Sequence, residues 1–532
     1  MKKIQVWLPL LFAIVMIVGM RIGFKLRENV PASQKFFQSG KRSSLQEVMD
    51  LVRLKYVDPI DTDTLTDDAV HAMLTHLDPH SIFIPAVHLS AVNEDLQGNF
   101  EGIGVEFHII RDTVNVVTVL PDGPSDKAGL KVGDKFLKVN DSLVAGTSIN
   151  ADRIKKLLRG HGGSKVEVVL IRGNEQKKTT ITRGTIPLYS IDAAYMMNSE
   201  TGFIHLNKFS GTSYEEFMQA IERLQKQGMK KLIFDLRDNG GGILGEAVDI
   251  VDEFLDENKM IVYTKGDKQD KYEYRCKRPG LFEKGDLAIL VDEGSASASE
   301  VVAGAVQDWD RATIIGRRTF GKGLVQEQYN LSNGAALRLT VARYYTPTGR
   351  SIQKSYGNGR AAYYDEVLER FHSGEVVHPD TVKVARVDSF KTKGGRVVYG
   401  GGGITPDIFV PYDTAGFVSD VTGIFRNNTF GKFVYNYYIS NKSYFDQFKN
   451  PADFAKRFTE TEAALKSLGA YATKESVEFD VGSMPLRDQL ELQRRIKTWM
   501  ARQIWRMDGY YQVNNLDDKT VQTALKSFEK KL

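Results

Sequence analysis

The feature that most limits what this chain can fold into is an apolar run that breaks into a turn of small residues. Leu287-Ala288-Ile289-Leu290-Val291 carries no polar side chain, the pattern of a strand buried on both faces. It leads through Gly294-Ser295-Ala296-Ser297-Ala298-Ser299-Glu300 into Val301-Val302-Ala303-Gly304-Ala305-Val306, a helical composition. At such a strand-to-helix turn a hydroxyl can stand exposed. The free N–H groups and positive dipole end of the helix start favour an oxyanion beside it. Position 299 is Ser, so the turn is not the G-x-S-x-G elbow. A serine nucleophile needs a base, and no histidine lies in this region. Lys322 is the nearest basic group, framed by Gly321, Gly323, Phe320 and Leu324. Such surroundings desolvate an ammonium and lower its pKa from about 10.4, as a Ser–Lys mechanism requires. Spacing does not choose among Ser295, Ser297 and Ser299.

Composition narrows the alternatives. The 532 residues leave room for three or four domains, and 42% hydrophobic with 26% charged residues is an ordinary globular balance. With 71 basic and 67 acidic residues the net charge of +4 gives no reason to expect nucleic acid. The single cysteine, Cys276, excludes an internal disulfide and any Cys-based metal site. The histidines show no H-E-x-x-H spacing, and the acid-rich stretch 58–68 lacks the EF-hand glycine, so no metal and no cofactor is expected.

Taken in order, the chain opens with Lys2-Lys3 and an apolar run from Val6 to Met20. With Ile4 and Ile22-Gly23-Phe24 this approaches the ~20 residues of a spanning helix, and no small-x-small cleavage site follows. An uncleaved N-terminal anchor in residues 1–28 is expected. Arg21, Lys25 and Arg27 offset Lys2 and Lys3, leaving orientation open. Residues 29–44 read as a polar tether, followed by helices from Leu45 and over Asp67–His76. His80, beside Pro79, suits capping or packing. Short strands and one helix occupy Phe100 to Arg183. They are strands from Glu101 and Val114, a helix over Ile149–Leu158 and a closing strand over Val166–Arg172. A Gly102-Ile103-Gly104 loop leaves successive N–H groups free to form a nest for a C-terminal carboxylate, with an adjoining strand edge for the incoming peptide.

From 185 to 412 strands and helices alternate: Gly202–Leu206, Ser213–Gln225, Lys231–Arg237 and Glu246–Leu255. Gly240 to Gly245 satisfies G-x-G-x-x-G. Arg237 and Asp238 intervene before the glycines, however, and Lys265 stands where an acidic ribose ligand belongs, against dinucleotide binding. Residues 354–402, Gly-rich and polar, read as an inserted loop or hairpin with no assigned chemistry. Beyond Tyr412 the chain turns helical and aromatic. Pro451 follows a capping Asn450, and two apolar stripes occur: Leu492, Ile496, Trp499, Met500, and Val521, Ala524, Leu525, Phe528. These stripes either cover the core or form a homodimer contact.

Leu290 to Glu300, followed by Gly321-Lys322-Gly323-Leu324-Val325-Gln326, resembles the carboxyl-terminal processing peptidases, the tail-specific serine proteases of the S41 family. Further matching blocks are Leu77-Asp78-Pro79-His80-Ser81, Asp235-Leu236-Arg237-Asp238-Asn239-Gly240-Gly241-Gly242, Leu337 to Gln353 and Gly403-Ile404-Thr405-Pro406-Asp407. Gly123 to Leu130 with Val132-Gly133-Asp134 is similar to the middle of a PDZ domain. The likeness covers roughly residues 45 to 412.

This resemblance implies Ser297 as nucleophile, Lys322 as base, and Gln326, one helical turn later, as the group that orients the lysine. It implies an oxyanion hole from the N–H of Gly241 or Gly242 and that of Ala298. It also implies a PDZ domain at 91–184 that binds protein C-termini through Gly102, Ile103 and Gly104 and gates the site. The expected fold class is α/β (α+β) multidomain. A helical segment at 29–90 precedes the PDZ domain, which is inserted before a peptidase core of mixed sheets and helices at 185–412, and a helical extension occupies 413–532. The catalytic domain is expected outside the cytoplasmic membrane, on the periplasmic side. The competing expectation is a non-catalytic, membrane-anchored PDZ adaptor.

Overall fold

The computed structural model describes residues 12–21, 25, 43–256, 258–378, 388–413, 416–426 and 428–529. The chain divides into two units, Met1–Met73 and Leu74–Leu532. In the first, residues 12–21 are helical, followed by the helices Ser44–Lys55 and Thr62–Leu74. Ser43 caps the former by accepting from Gln46 N. The latter begins earlier than the apolar pattern predicts. Asp61 accepts from Asp63 N at 3.0 Å and from Thr64 Oγ1 at 2.8 Å, so part of the acid-rich stretch does capping work. The anchor expected over residues 1–28 falls largely outside the described residues. Among those described, no helix is long and apolar enough to cross a membrane.

The second unit is built on a six-stranded sheet. Its order is Ile191–Met196, Thr201–Leu206, Lys231–Asp235, Asp286–Val291, Thr313–Gly316, Ile408–Phe409. The first pair is antiparallel and the rest parallel, with Ile204, Phe234, Ile289 and Ile314 in register across the sheet. Alternation decides which side chain faces which layer. Ile204, Leu206, Leu232, Phe234, Ile289 and Val291 pack on one face with the helices Ser213–Lys226, Leu244–Asp252 and Ala298–Asp308. Phe203, Ile233, Ala288 and Leu290 pack on the other with Val521, Ala524 and Phe528 of the helix Lys519–Glu529. The final apolar stripe therefore completes the core.

A second sheet runs Ile82–Ile84, Ala336–Tyr345, Met260–Lys265, Tyr272–Arg275, and Leu324–Asn330 also pairs with Ala336–Tyr345. Within the second unit, Asn99–Gly102 pairs with Gly184–Pro187 and closes off residues 103–183. That segment has its own six-stranded sheet around a core that includes Val114, Val116, Phe136, Ile154 and Val168. Its helix is Ala151–Leu158, capped by Asn150. Lys165–Arg172 is not the closing strand, because Glu175–Thr182 pairs with it along its full length. That added strand is mostly exposed, so its polar sequence hides its pairing.

The insertion 354–402 is not a loop or a hairpin alone. It holds a 13-residue helix, Arg360–His372, before the hairpin Ser389–Lys391 and Val397–Tyr399. Residues 422–514 form a helical bundle with its own aromatic core, including Phe430, Phe445, Phe454, Phe458, Leu492 and Ile496.

Candidate active site

The turn after Asp286–Val291 is held by a buried polar lattice. Ser295 is fully buried, and its hydroxyl donates to Leu236 O at 2.7 Å and accepts from Asp292 N at 3.0 Å. Ser299 is likewise fully buried and donates to Asn239 O at 2.8 Å. Two of the three serines that spacing left open are therefore structural. Ser297 is the partly exposed one, and it lines a cavity of about 470 Å³. Its backbone stands at φ +56°, ψ −111°, a strained conformation for a residue with a side chain.

Lys322 and Gln326 line the same cavity, with Gly240, Gly241, Gly242 and Ala298. Lys322 sits in the segment between Thr313–Gly316 and Leu324–Asn330. Burial and the charge of Arg338 pull its ammonium below the usual lysine range, against the opposing pull of Glu300 and Asp78. Gln326 is on a strand, not a helix, next to a bulge in the Leu324–Asn330 ladder. The helical-turn relation to Lys322 is therefore absent. Its side-chain amide donates to the His80 carbonyl.

The glycine expectation divides. Gly241 has φ +94°, and a Cβ there would lie 2.8 Å from Ser297 Cβ and 2.9 Å from Ala298 N. Only glycine allows that approach. Its N–H, however, is donated to Asn239 Oδ1 at 2.9 Å. The N–H groups of Gly242 and Ala298 have no turn or loop acceptor among the described residues. Gly242 also lies against the chain at Phe209, bridging to it, and a Cβ would meet Phe209 O at 2.1 Å. Of the three glycines in the G-x-G-x-x-G spacing, close packing of two loops requires only Gly242; a Cβ at Gly240 or Gly245 would meet open space.

Glu300, Tyr344 and Asp78 carried no assigned role in the sequence, and His80 only one of capping or packing. Glu300 is fully buried and accepts four hydrogen bonds. Its Oε1 takes Thr319 Oγ1 at 2.5 Å and Gly321 N at 2.7 Å, and its Oε2 takes Ser297 N at 2.9 Å and Lys322 N at 2.8 Å. One carboxylate thus grips the backbone of both Ser297 and Lys322. The signal was present, because Ser297-x-x-Glu300 is capping-box spacing. Tyr344, buried with its ionisation pushed far up, hydrogen-bonds the Ser297 side chain and donates to the Lys322 carbonyl. His80 is pushed down to about 3, by burial first and then by the Lys322 charge, so it is neutral. Its Nε2 meets Tyr363 Oη at 2.9 Å. Asp78 shapes the turn around His80, accepting from His80 N at 2.8 Å and Ser81 Oγ at 2.5 Å.

With this geometry in view, the comparisons fall into place. Residues 200–358 match peptidase family S41, and residues 116–172 match the PDZ domain. A carboxy-terminal-processing protease of Bartonella bacilliformis is 35% identical over 314 residues, 58% of this chain and 71% of that protein. The chain belongs to this family. A probable CtpA-like serine protease of Staphylococcus epidermidis is 34% identical over 318 residues, 59% of this chain. The match spans 64% of that relative, just under two thirds of its length. A photosystem II D1 C-terminal processing protease is 27% identical over 71% of this chain and 89% of its own, with a TM-score of 0.35, too low to carry weight. Residues 421–506, outside the peptidase match, fall in a family of unknown function. All three catalytic positions expected in this S41 peptidase line one cavity. Among the described residues, no group of three or more His, Cys, Asp or Glu is arranged to hold a metal.

If Glu300 ties the two segments together, Glu300→Gln should lower the unfolding free energy by about 3 kcal/mol, because an amide nitrogen cannot accept the buried N–H groups. Urea unfolding monitored by tryptophan fluorescence measures this, and an unchanged midpoint would show that the carboxylate is dispensable.

Proposed function

We propose that this chain is a serine endopeptidase that cleaves proteins near their C-termini through a Ser297–Lys322 dyad. The observation that carries the reading is that Ser297, alone among the three serines, faces the cavity shared with a half-buried lysine of lowered pKa. Neutral Lys322 Nζ takes the proton from Ser297 Oγ as the oxygen attacks the scissile carbonyl carbon. The C–N bond then breaks, and the lysine returns the proton to the leaving amine. Water, deprotonated in turn by Lys322, hydrolyses the acyl-enzyme and restores the serine. Gly242 and Ala298, whose N–H groups have no acceptor in the turn, suit the oxyanion as it forms. Gln326 and Tyr344 bracket the dyad, and because Gln326 gives its Nε2 to the His80 carbonyl, its Oε1 is the atom left to accept from Lys322 Nζ.

Substrate C-termini are read by the PDZ domain. Ile103 and Gly104 N–H lack turn or loop acceptors among the described residues, and Val105–Ile110 is an outer strand of its sheet. Gly104 stands at φ +73°. Gly104→Val should therefore reduce cleavage of a protein with an apolar tail about tenfold or more while Ser297 still reacts with a fluorophosphonate. Undiminished cleavage of tailed substrates would rule out PDZ recognition as the gate.

Ser297→Ala and Lys322→Ala should each abolish cleavage of an unfolded protein ending in apolar residues, with fragments weighed by mass spectrometry. Ser295→Ala and Ser299→Ala, if they fold, should retain cleavage. Activity in Ser297→Ala would overturn the nucleophile, and an inert parent that no fluorophosphonate labels would leave a PDZ adaptor.

Because the base works deprotonated, kcat/KM should rise with pH through the lowered Lys322 pKa. Arg338 helps depress that pKa, so Arg338→Gln should let it rise and move the ascending limb to higher pH. A limb that stays in place, or a profile flat from about pH 5 to 9, would exclude Lys322 as the base.

A further inference from the structure

We infer that the inserted helix Arg360–His372 builds a pocket beside the dyad for a large apolar substrate side chain flanking the scissile bond. This rests on the peptidase reading above and names a substrate preference for that site. One side of the helix is committed to holding the lysine segment. Arg370 Nη1 donates to the carbonyls of Arg318 at 3.0 Å and Thr319 at 2.9 Å, and its Nη2 to Phe320 O at 3.2 Å. Glu366 pairs with Arg370 at 2.8 Å, Lys354 at 2.8 Å and Arg318 at 2.9 Å. The helix is thereby fixed to the three residues that precede Gly321 and Lys322.

A second face of the helix carries an apolar strip, of which Tyr364 also donates to Pro79 O at 3.2 Å. Tyr364 is 43% and Leu368 60% exposed, with Val367 between them. These side chains and Phe320 wall a cavity of about 610 Å³ that reaches Ala296. The cavity shares Gly240 and Lys322 with the one that holds Ser297. That continuity selects the occupant, since a peptide seated with its carbonyl at Ser297 sends a neighbouring side chain into the adjoining trough. Exposed aromatic and aliphatic residues gathered beside a reactive centre favour an apolar occupant. The lining also holds His80 and two carboxylates. Asp238 is exposed, and Glu293 is already paired with Arg317 at 2.7 Å.

The test uses the full chain and its Leu368→Asp and Leu368→Trp variants, both changes at an exposed position. One aliquot of each is labelled with a fluorophosphonate to count reactive serine, and a separate unlabelled aliquot is given a peptide library whose cut sites are read by mass spectrometry. kcat/KM is measured for two peptides that differ only by Phe or Ala at the flanking position the parent favours. The parent should enrich Leu, Phe or Tyr at one position flanking the cut. Leu368→Asp should lower the Phe-to-Ala ratio of kcat/KM about tenfold, and Leu368→Trp should shift the preference to smaller residues. A parent that is labelled and cuts, with a flanking profile unmoved in both variants, overturns the pocket and leaves the peptidase reading standing. A parent profile led by Lys or Arg would assign the trough to Asp238 and overturn it too. A parent neither labelled nor active overturns the peptidase reading beneath it.

Discussion

The Glu300 carboxylate ties the Ser297 turn to the Lys322 segment, with Tyr344 and the Phe320 N–Ser295 O bond as further links. The Ser297 turn leaves the end of a central-sheet strand, while Lys322 precedes a strand of the second sheet, so their meeting is a contact between two sheets. A buried carboxylate is costly unless its lone pairs are filled. Here each oxygen takes two donors, and the donors come from both segments: Ser297 N on one side, and Lys322 N, Gly321 N and Thr319 Oγ1 on the other. The cost of burial becomes a requirement that the segments stay together. It also explains how Ser297 keeps a positive φ, because leaving that conformation would strand an acceptor in the core.

A second buried charge system stands behind the lysine. Arg318, Lys354 and Arg370 converge on Glu366, which they hold at about 2, well below the usual carboxylate range. Lys354 also lies 3.9 Å from the centroid of Phe320. Three cations against Glu366 and Glu375 leave one net positive charge, but each cation is paired, so the system adds rigidity to the lysine segment. Lys322 is thus depressed mainly by burial, with Arg338 as the second influence.

The parts legible in the sequence were those written in local patterns. The apolar run Leu287–Val291, the Ser213–Lys226 helix and the stripe Val521, Ala524, Phe528 carry their periodicity within a dozen residues, and the structure keeps them. Ser297 could not be separated from Ser295 and Ser299 by spacing, because what buries those two are Leu236 O and Asn239 O, some sixty residues away in the chain. The helix Arg360–His372 was hidden for the same reason. Tyr363, Glu366 and Arg370 look like solvent-facing residues until His80, Lys354 and the carbonyls of 318–320 are brought to them. The polar strand Glu175–Thr182 earns its place only through the ladder with Lys165–Arg172. Gln326 was misplaced by analogy with a helix, since four residues on a bulged strand span a different direction.

The helical extension changes what a moving PDZ domain would have to break. The face of Val105–Ile110 and Thr113–Val119 turned away from the PDZ core meets the 422–514 bundle. Gln503 donates to Val117 O at 3.1 Å, Arg111 reaches Glu475 at 3.4 Å, and the His108 ring meets Tyr435 edge-on at 6.5 Å. Val132 packs against the bundle's own core. The extension is fastened to the peptidase sheet as well. Arg237 pairs with Asp235 at 2.6 Å and Asp518 at 2.9 Å, and Tyr511 stacks on His205 with centroids 4.2 Å apart. The contacts on the two sides differ in kind. Those to the sheet include a buried charge pair, with Arg237 raised by Asp235 and Asp518, whereas those to the PDZ domain are a few polar bonds at partly exposed positions beside the His108–Tyr435 and Val132 contacts. Buried pairs resist separation by several kcal/mol and exposed ones by about 1 kcal/mol or less. The extension is therefore held more firmly to the peptidase sheet than to the PDZ domain.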